Sequence, residues 1–271
     1  MYETLCEDRN VFRKNSVYAK LSFWLDFFAL SKAKLVITDT WSNALFFSQR
    51  FGVGITKFAV AYVGCDEETF NPKVMPQEQS GKSRKEVIVF TYNSFLPLHG
   101  NEVIVEAARM LEDDPRVKLV IGGYGPLFRS IREQVLIKGI KNIEFVGWIP
   151  YERLPNLIEN SDICLGGHFS TTPKAGRSLS TKTFQFMAMR KPIIVGEGEA
   201  ASELLKHGVN AYIVPRGDPG ALAIAIRELA DDLWLRQRLG AEAYDLFQKK
   251  FSTSRISEML ERAILRACES V

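Results

Sequence analysis

Histidine, cysteine and net charge are all scarce in this chain of 271 residues, which holds three histidines, four cysteines and a formal net charge of +3. A charge that small, with no Lys/Arg block and no recurring basic helix face, excludes nucleic acid as the partner. Cys6, Cys65, Cys164 and Cys268 form no C-x-x-C pair, and the chain is long enough to fold without staples, so a reducing cytoplasm is the compartment expected. None of His99, His168 and His207 is spaced with another His or a Cys as zinc ligands on one element would be. A D-x-D metal motif is also missing. The most apolar stretch, Val17 to Leu30, is broken by Lys20 and Asp26 and falls short of the roughly 20 residues of a bilayer span. Met1 to Asn10 carries acids and no apolar core of a signal peptide. With 46% hydrophobic and 25% charged residues, the composition is that of one large globular domain or two modest ones.

What is present is rhythm. From Glu86 onward short β-branched runs alternate with helical patterns, as in a parallel sheet assembled from βαβ units. Strands are predicted at Val87–Tyr92, Val117–Ile121, Ile143–Val146, Ile163–Leu165, Pro192–Val195 and Ala211–Val214. Helices are predicted between them at Asn101–Leu111, Pro126–Ile137, Tyr151–Glu159, Thr181–Met189, Ala200–Lys206 and Pro219–Ala230. Most strands are continuous apolar runs, which predicts helices on both faces and hence a doubly wound α/β sheet. Two consecutive helices follow, Leu233–Lys250 and Ser254–Cys268, the second opened by a Ser-Thr-Ser cap.

The first 70 residues are of another kind. They offer an aromatic-rich helix at Val17–Leu30, a strand at Leu35–Thr38, a helix at Trp41–Phe51 and a strand at Phe58–Val63. Two strands do not make a doubly wound sheet, so this segment reads as the end of a larger α/β domain or as a small cap docked on the second one. The first helix is apolar on nearly every side and is expected to be buried on more than one face. Only the short elements before Phe70 and the C-terminal helix could cover it, leaving apolar surface open around Phe23, Trp24, Phe27 and Phe28. Residues 71–85, rich in Pro, Gln, Ser, Gly and Lys, read as a linker between units at 1–70 and 86–250.

In open α/β sheets ligands bind beyond the carboxyl ends of the strands, and two loops there stand out. Gly122-Gly123-Tyr124-Gly125-Pro126 ends a strand and opens a helix, with Pro126 expected at the first helical position. Its glycines would let a backbone come close to a ligand, and the helix start favours an anion. It is not a dinucleotide fingerprint, because Phe128 stands where the third Gly belongs and Glu144 lies inside the next strand rather than at its end. The loop Gly166 to Ser180 carries Lys174 and Arg177, Lys182 follows, and no acid occurs between Asp162 and Glu197. A polar, purely cationic loop at a strand end predicts a phosphate site. Ser180 is positioned to cap the helix that begins near Thr181, leaving its free N–H groups toward the same cleft. Lys182 and Gln185, three apart, share a helix face.

Pro173-Lys174-Ala175-Gly176-Arg177, followed by Lys182-Thr183-Phe184-Gln185-Phe186-Met187-Ala188-Met189-Arg190-Lys191-Pro192, resembles the donor-site segment of family 4 (group 1) glycosyltransferases. Phe95-Leu96-Pro97-Leu98-His99-Gly100 is similar to the opening loop of that family's second domain, and Gly123-Tyr124-Gly125-Pro126 to its glycine turn. Phe145-Val146-Gly147-Trp148-Ile149-Pro150, Asn160-Ser161-Asp162, Glu203-Leu204-Leu205 and Val214-Pro215-Arg216-Gly217-Asp218 follow in the family's order, and Val63-Gly64-Cys65-Asp66 through Phe70-Asn71-Pro72 resembles its interdomain hinge. The resemblance runs through essentially the whole chain. It implies the GT-B arrangement of two Rossmann-like domains facing across a cleft. Here that would be a nucleotide-sugar-binding domain over 86–250, the remnant of an acceptor-binding domain over 1–70, and a helix at 251–271 crossing back to the first domain. It implies a donor site drawing on Gly123, Gly125, Trp148, Ile149, Lys174, Arg177, Lys182, Gln185 and His99, with no cofactor and no metal. The chain departs from the family at the donor-site glutamates, where Arg177 and Gln185 stand, and at the phosphate-binding Arg/Lys pair, where Asn93 and His99 stand.

Breaking a sugar–phosphate bond leaves a nucleoside diphosphate with growing negative charge, so Lys182 and Arg177 are the candidate catalytic groups, as electrostatic stabilisers. The expected activity is transfer of a sugar, with retention, from a nucleotide sugar to a saccharide or lipid-linked acceptor in the cytoplasm, with peripheral membrane association and a missing N-terminal half or partner chain completing the site. A non-catalytic nucleotide-sugar-binding module or donor-domain fragment is the alternative. A nicotinamide dehydrogenase is disfavoured by Phe128 and Glu144.

Overall fold

A computed structural model describes residues 1–9, 11–72 and 86–269 of the chain; most of the expected linker, from residue 73, lies outside the described residues. A short π-helix at Glu3–Asp8 leads into α1 (Val17–Lys32), β1 (Val36–Thr38), α2 (Trp41–Phe51) and β2 (Phe58–Val60). The second unit runs β3 (Val87–Tyr92), α3 (Asn101–Met110), β4 (Val117–Gly122), α4 (Phe128–Lys138), β5 (Ile143–Gly147), α5 (Leu154–Glu159), β6 (Ile163–Leu165), α6 (Pro173–Arg177), α7 (Thr181–Ala188), β7 (Ile193–Gly196), α8 (Glu199–Leu204), β8 (Tyr212–Val214), α9 (Pro219–Asp231) and α10 (Leu233–Lys250). The last helix is α11 (Thr253–Glu269).

The six later strands form one parallel sheet in the order β5-β4-β3-β6-β7-β8. The chain winds outward from β3 to β5, crosses back, and winds the other way from β6 to β8, so the direction reverses between β3 and β6. Alternate strand residues divide between two cores. Val89, Leu119, Ile121, Ile163, Leu165 and Ile194 pack with α3, α4 and α9, whereas Phe90, Val120, Cys164, Ile193 and Val195 pack with α5, α7, α8 and α10. Burial of successive residues on opposite faces explains why the central strands are nearly continuous apolar runs, while Lys118 and Glu144 mark the less buried side toward the β5 edge. Helix starts follow their caps: the Asp218 carboxylate accepts from Ala221 N at 2.9 Å to begin α9, and Asp232 from Leu235 N at 2.8 Å to begin α10.

Several expectations are corrected. Pro126 lies two residues before α4, which opens at Phe128, because Pro126 and Leu127 form a turn first. Tyr151–Arg153 is a 3₁₀ turn, and the α-helix begins only at Leu154, with Pro155 in its first turn, where its missing N–H costs nothing. The loop 166–180 contains a short helix, α6, opened by Pro173. Ser180 occupies the N-cap of α7 without a side-chain cap bond.

The first unit is a parallel pair of strands, with Val36 opposite Phe58, packed by two helices. Phe23, Phe27 and Leu30 of α1 join Ala44, Phe51, Val53 and Phe58 in a third, small core. Only Ala19 and Ser22 of α1 are fully buried, and Trp24 is 62% and Phe28 61% exposed. The expectation of burial on more than one face is therefore wrong: α2, the strands and the N-terminal segment pack on part of α1, and Trp24 and Phe28 stay open. Of the four aromatics, Trp24 and Phe28 are open while Phe23 and Phe27 are packed. α11 does reach the first unit, where Ala263, Arg266 and Ala267 line a cavity of about 240 Å³ with Leu35, Phe58 and Ala59. No helix among the described residues is long and apolar enough to cross a membrane.

Several carboxylates join the units, and one of them makes contacts with three residues. Glu203 of α8 accepts from Trp41 N at 3.0 Å and Ser42 N at 3.3 Å, the first backbone donors of α2, and from the Tyr62 hydroxyl at 3.4 Å.

Candidate functional site

The reversal of winding between β3 and β6 leaves a crevice at their carboxyl ends, the position at which open α/β sheets bind ligands. Three loops converge there. After β3, the Asn93 carboxamide oxygen accepts from Phe95 N at 2.8 Å and its Nδ2 donates to Asn101 at 2.9 Å, fixing the path of the chain into α3. After β4, Gly123 (φ +111°) and Gly125 press onto that segment so closely that a Cβ would stand 1.9 Å from the Asn93 carbonyl oxygen and 1.7 Å from that of Ser94. No Cβ fits at these two positions, because the backbone of the neighbouring loop occupies the space it would take. After β6, Gly166, Gly167 and His168 turn toward the first loop, where Phe169 N donates to the His99 carbonyl at 3.3 Å.

Lys182 and Gln185, from the first turns of α7, both meet Tyr92, the last residue of β3. The Lys182 ammonium donates to the Tyr92 carbonyl at 3.1 Å, and the Tyr92 hydroxyl donates to the Gln185 carboxamide oxygen. Lys182 is 3% exposed, and no carboxylate pairs with it among the described residues. Burial without a counter-charge pulls its pKa down to about 7. Burial likewise raises the Tyr92 phenol well above its ordinary value. The rings of His99 and His168 lie 5.2 Å apart beside this ammonium. Burial and then the charge of Lys182 lower His99 to about 2 and His168 to about 3.

The other two cations of the loop are already engaged. Lys174 sits 3.3 Å from the Asp8 carboxylate and 3.2 Å from Thr4 Oγ1. Arg177 pairs with Glu3 and lies over the Phe46 ring. Arg216 donates to the Ser170 and Thr172 carbonyls at 3.3 and 2.8 Å and braces the loop from the β8 side. A loop without acids of its own is therefore answered by acids from the start of the chain. Trp148, after β5, is exposed beside a cavity of about 420 Å³ lined by Phe128, Arg132, Phe145, Val146 and Gly147. Ile149 turns inward against the position of a Cβ on Gly122. Glu144 pairs with Lys118 at 2.6 Å on the strand surface.

The structure thus brings Lys182, Gln185 and His99 together at the crevice, pairs Lys174 with Asp8 and Arg177 with Glu3, and separates Trp148 from Ile149. His168 and Tyr92 had no motif to mark them; their only signal was a place at the carboxyl end of a strand flanking the reversal.

Residues 76–246 match the family model described as glycosyl transferases group 1. The chain belongs to that family. It is 23% identical over 241 residues to the amylovoran biosynthesis glycosyltransferase AmsK of Erwinia amylovora, covering 87% of this chain and 57% of AmsK. To the alpha-D-kanosaminyltransferase of Streptomyces kanamyceticus it is 25% identical over 163 residues, 59% of this chain and 41% of that enzyme. The chain therefore spans about half the length of these glycosyltransferases. Among solved structures, Anabaena HepE in complex with UDP superposes with a TM-score of 0.77 at 19% identity, covering 96% of this chain and 70% of HepE. Sucrose-phosphate synthase from Thermosynechococcus elongatus superposes with a TM-score of 0.78 at 19% identity, covering 100% and 66%. At these identities the likeness carries the GT-B fold of the group 1 glycosyltransferases, and no more.

Proposed function

We propose that the crevice between β3 and β6 holds the diphosphate of a nucleotide sugar, and that the protein transfers the sugar, with retention, to a saccharide or lipid-linked acceptor. The observation that carries this reading is Lys182: an ammonium buried at the reversal point with only a carbonyl for a partner is an unfavourable arrangement until an anion joins it. As the bond from the anomeric carbon to the phosphate oxygen breaks, the electron pair stays with the nucleoside diphosphate. The acceptor hydroxyl oxygen bonds to that carbon, and its proton passes to the departing phosphate oxygen. Lys182 opposes the charge that builds on the leaving oxygen, in a site from which water is excluded. In this reading Gln185 orients the ribose or its neighbour, and Trp148 stands at the rim beside the cavity under β5. No metal is assigned to the reaction, since the sequence has no D-x-D motif. Work in the cytoplasm, with peripheral contact to a membrane when the acceptor is lipid-linked, belongs to the same reading. So does an acceptor-binding first domain of which this chain carries only the end.

A second reading, a nucleotide-sugar-binding module that transfers nothing by itself, is favoured by the 57% and 41% shares of AmsK and the kanosaminyltransferase that the chain spans. Calorimetric titration with UDP, GDP and TDP and their sugars, on the wild-type chain and on Lys182→Ala, tests the donor site. Tight binding lost in Lys182→Ala is the expected result, and equal binding by both would refute it. A transfer assay with the nucleotide sugar that binds then separates enzyme from module.

A further inference from the structure

The two imidazoles beside Lys182 share an anomaly. The Nδ1 atoms of both His99 and His168 are enclosed and have no hydrogen-bond partner, although His168 is only 5% exposed. Buried polar atoms in folded proteins nearly always find a partner, and two orphans on neighbouring rings, beside an ammonium whose partner is a carbonyl and not a carboxylate, make an unfinished cluster. The three groups come from separate elements: His99 from the loop after β3, His168 from the loop after β6, Lys182 from α7. Only the crevice brings them together. Among the described residues the charges that act on His168 are those of Lys182, Lys174 and Arg216, all positive, and those on His99 include no acid. What is missing is therefore an acceptor carrying negative charge.

Protonation fits that demand. Ser94 Oγ lies 3.2 Å from His99 Nε2, and when that hydroxyl donates, the ring proton is placed on Nδ1, where it can be given to a ligand. Both rings are held neutral by burial and by Lys182. Each then offers one N–H without adding a second and third positive charge to a crowded site. Neutral donors around a single cation suit a group with many oxygens and a charge that is partly neutralised on binding.

We propose that His168, with His99 beside it, contacts the diphosphate oxygens of the nucleotide sugar through Nδ1–H. This rests on the donor-site reading above and adds to it a residue that no motif marks. With Lys182 supplying charge and the imidazoles supplying direction, His168 fixes the orientation of the phosphates.

The chain has three histidines, so the ring nitrogens resolve in a ¹⁵N spectrum of the intact protein. Titration with UDP, and with inorganic pyrophosphate as a probe independent of the base, is expected to shift the Nδ1 signals of His99 and His168. The signal of His207, whose Nδ1 accepts from Ile213 N at 3.0 Å on the far side of the sheet, should stay in place. Calorimetry with UDP is expected to show a loss of about tenfold in His168→Ala. His168→Asn, which retains an N–H donor, should recover part of it, whereas a packing role would give no such recovery. UDP binding to the wild type with both imidazole signals unmoved would overturn the proposal alone, and so would unchanged affinity in His168→Ala. If neither UDP nor any other nucleoside diphosphate bound the wild type, the donor-site reading would fall first and this proposal with it. The spectrum of the wild type decides the matter even if His168→Ala does not fold.

Discussion

Arg177 lies with its guanidinium carbon 3.6 Å from the centroid of the Phe46 ring, inside an ion pair with Glu3. Both charged side chains are 12% exposed, so the pair is screened little by water. The same stretch of chain places Asp8 on Lys174 and Glu7 on Arg50, the latter at 2.6 Å. Three carboxylates from residues 3–8 therefore neutralise three cations, two of them in the loop that lies nearest the crevice.

Arg177→Ala should lower stability by about 1–3 kcal/mol, since it strands the Glu3 carboxylate in a half-dry site. Glu3→Gln combined with Arg177→Ala should cost clearly less than the sum of the single changes. Urea denaturation of the three variants measures the coupling; additive effects would mean that the two residues do not share an interaction.

The depressed pKa of Lys182, about 7 against 10.5 for a free lysine, fixes two pH dependences. Between these values the unfolded chain binds the extra proton, so the contribution of Lys182 to stability rises with pH through that window and is flat below it. Lys182→Met should abolish that rise in a series of denaturation curves. Nucleoside diphosphate binding runs the other way: it weakens as pH rises past about 7 and the ammonium is lost. Near pH 7 binding should take up a fraction of a proton, which appears as a binding heat that differs between phosphate and Tris buffers.

Gln185 and Tyr92 form a partly buried hydrogen bond at the end of β3. Gln185→Leu leaves the Tyr92 hydroxyl without its acceptor and should cost about 1–3 kcal/mol in thermal unfolding. Gln185→Glu keeps an acceptor there and should be better tolerated for both stability and nucleotide binding. Equal binding by the Leu and wild-type proteins would make the residue a packing element.

Trp24 and Phe28 present an open apolar stripe on α1. Trp24→Lys with Phe28→Glu should reduce self-association, seen as a lower light-scattering mass at high concentration, while leaving the melting temperature within about 2 °C.

Much of the second unit was legible because most of its strands are apolar runs and α9 and α10 open at Asp caps. Ile163–Leu165, Trp41–Phe51 and Leu233–Lys250 come out with their exact bounds. The crevice was legible from the same source, since strand ends and winding direction locate it without any side-chain contact. The partners of Arg177 and Lys174 were not legible, because 174 and 166 residues separate them from Glu3 and Asp8 and no local pattern encodes a pairing at that range. The exposed face of α1 was misread for a related reason: periodicity reports that a helix is apolar all round, and only the neighbours decide how many sides they cover.

The pressing of Gly123 and Gly125 onto the carbonyls of Asn93 and Ser94 leaves no slack between the β3 and β4 ends of the crevice. With Asn93 tied to Asn101, that side moves only if α3 moves with it. The crevice is therefore a vice with one fixed jaw. The other jaw, the segment from Gly166 to Lys182, is pinned to the first by the Phe169 N bond to the His99 carbonyl and the Lys182 bond to the Tyr92 carbonyl, contacts that any opening would have to break.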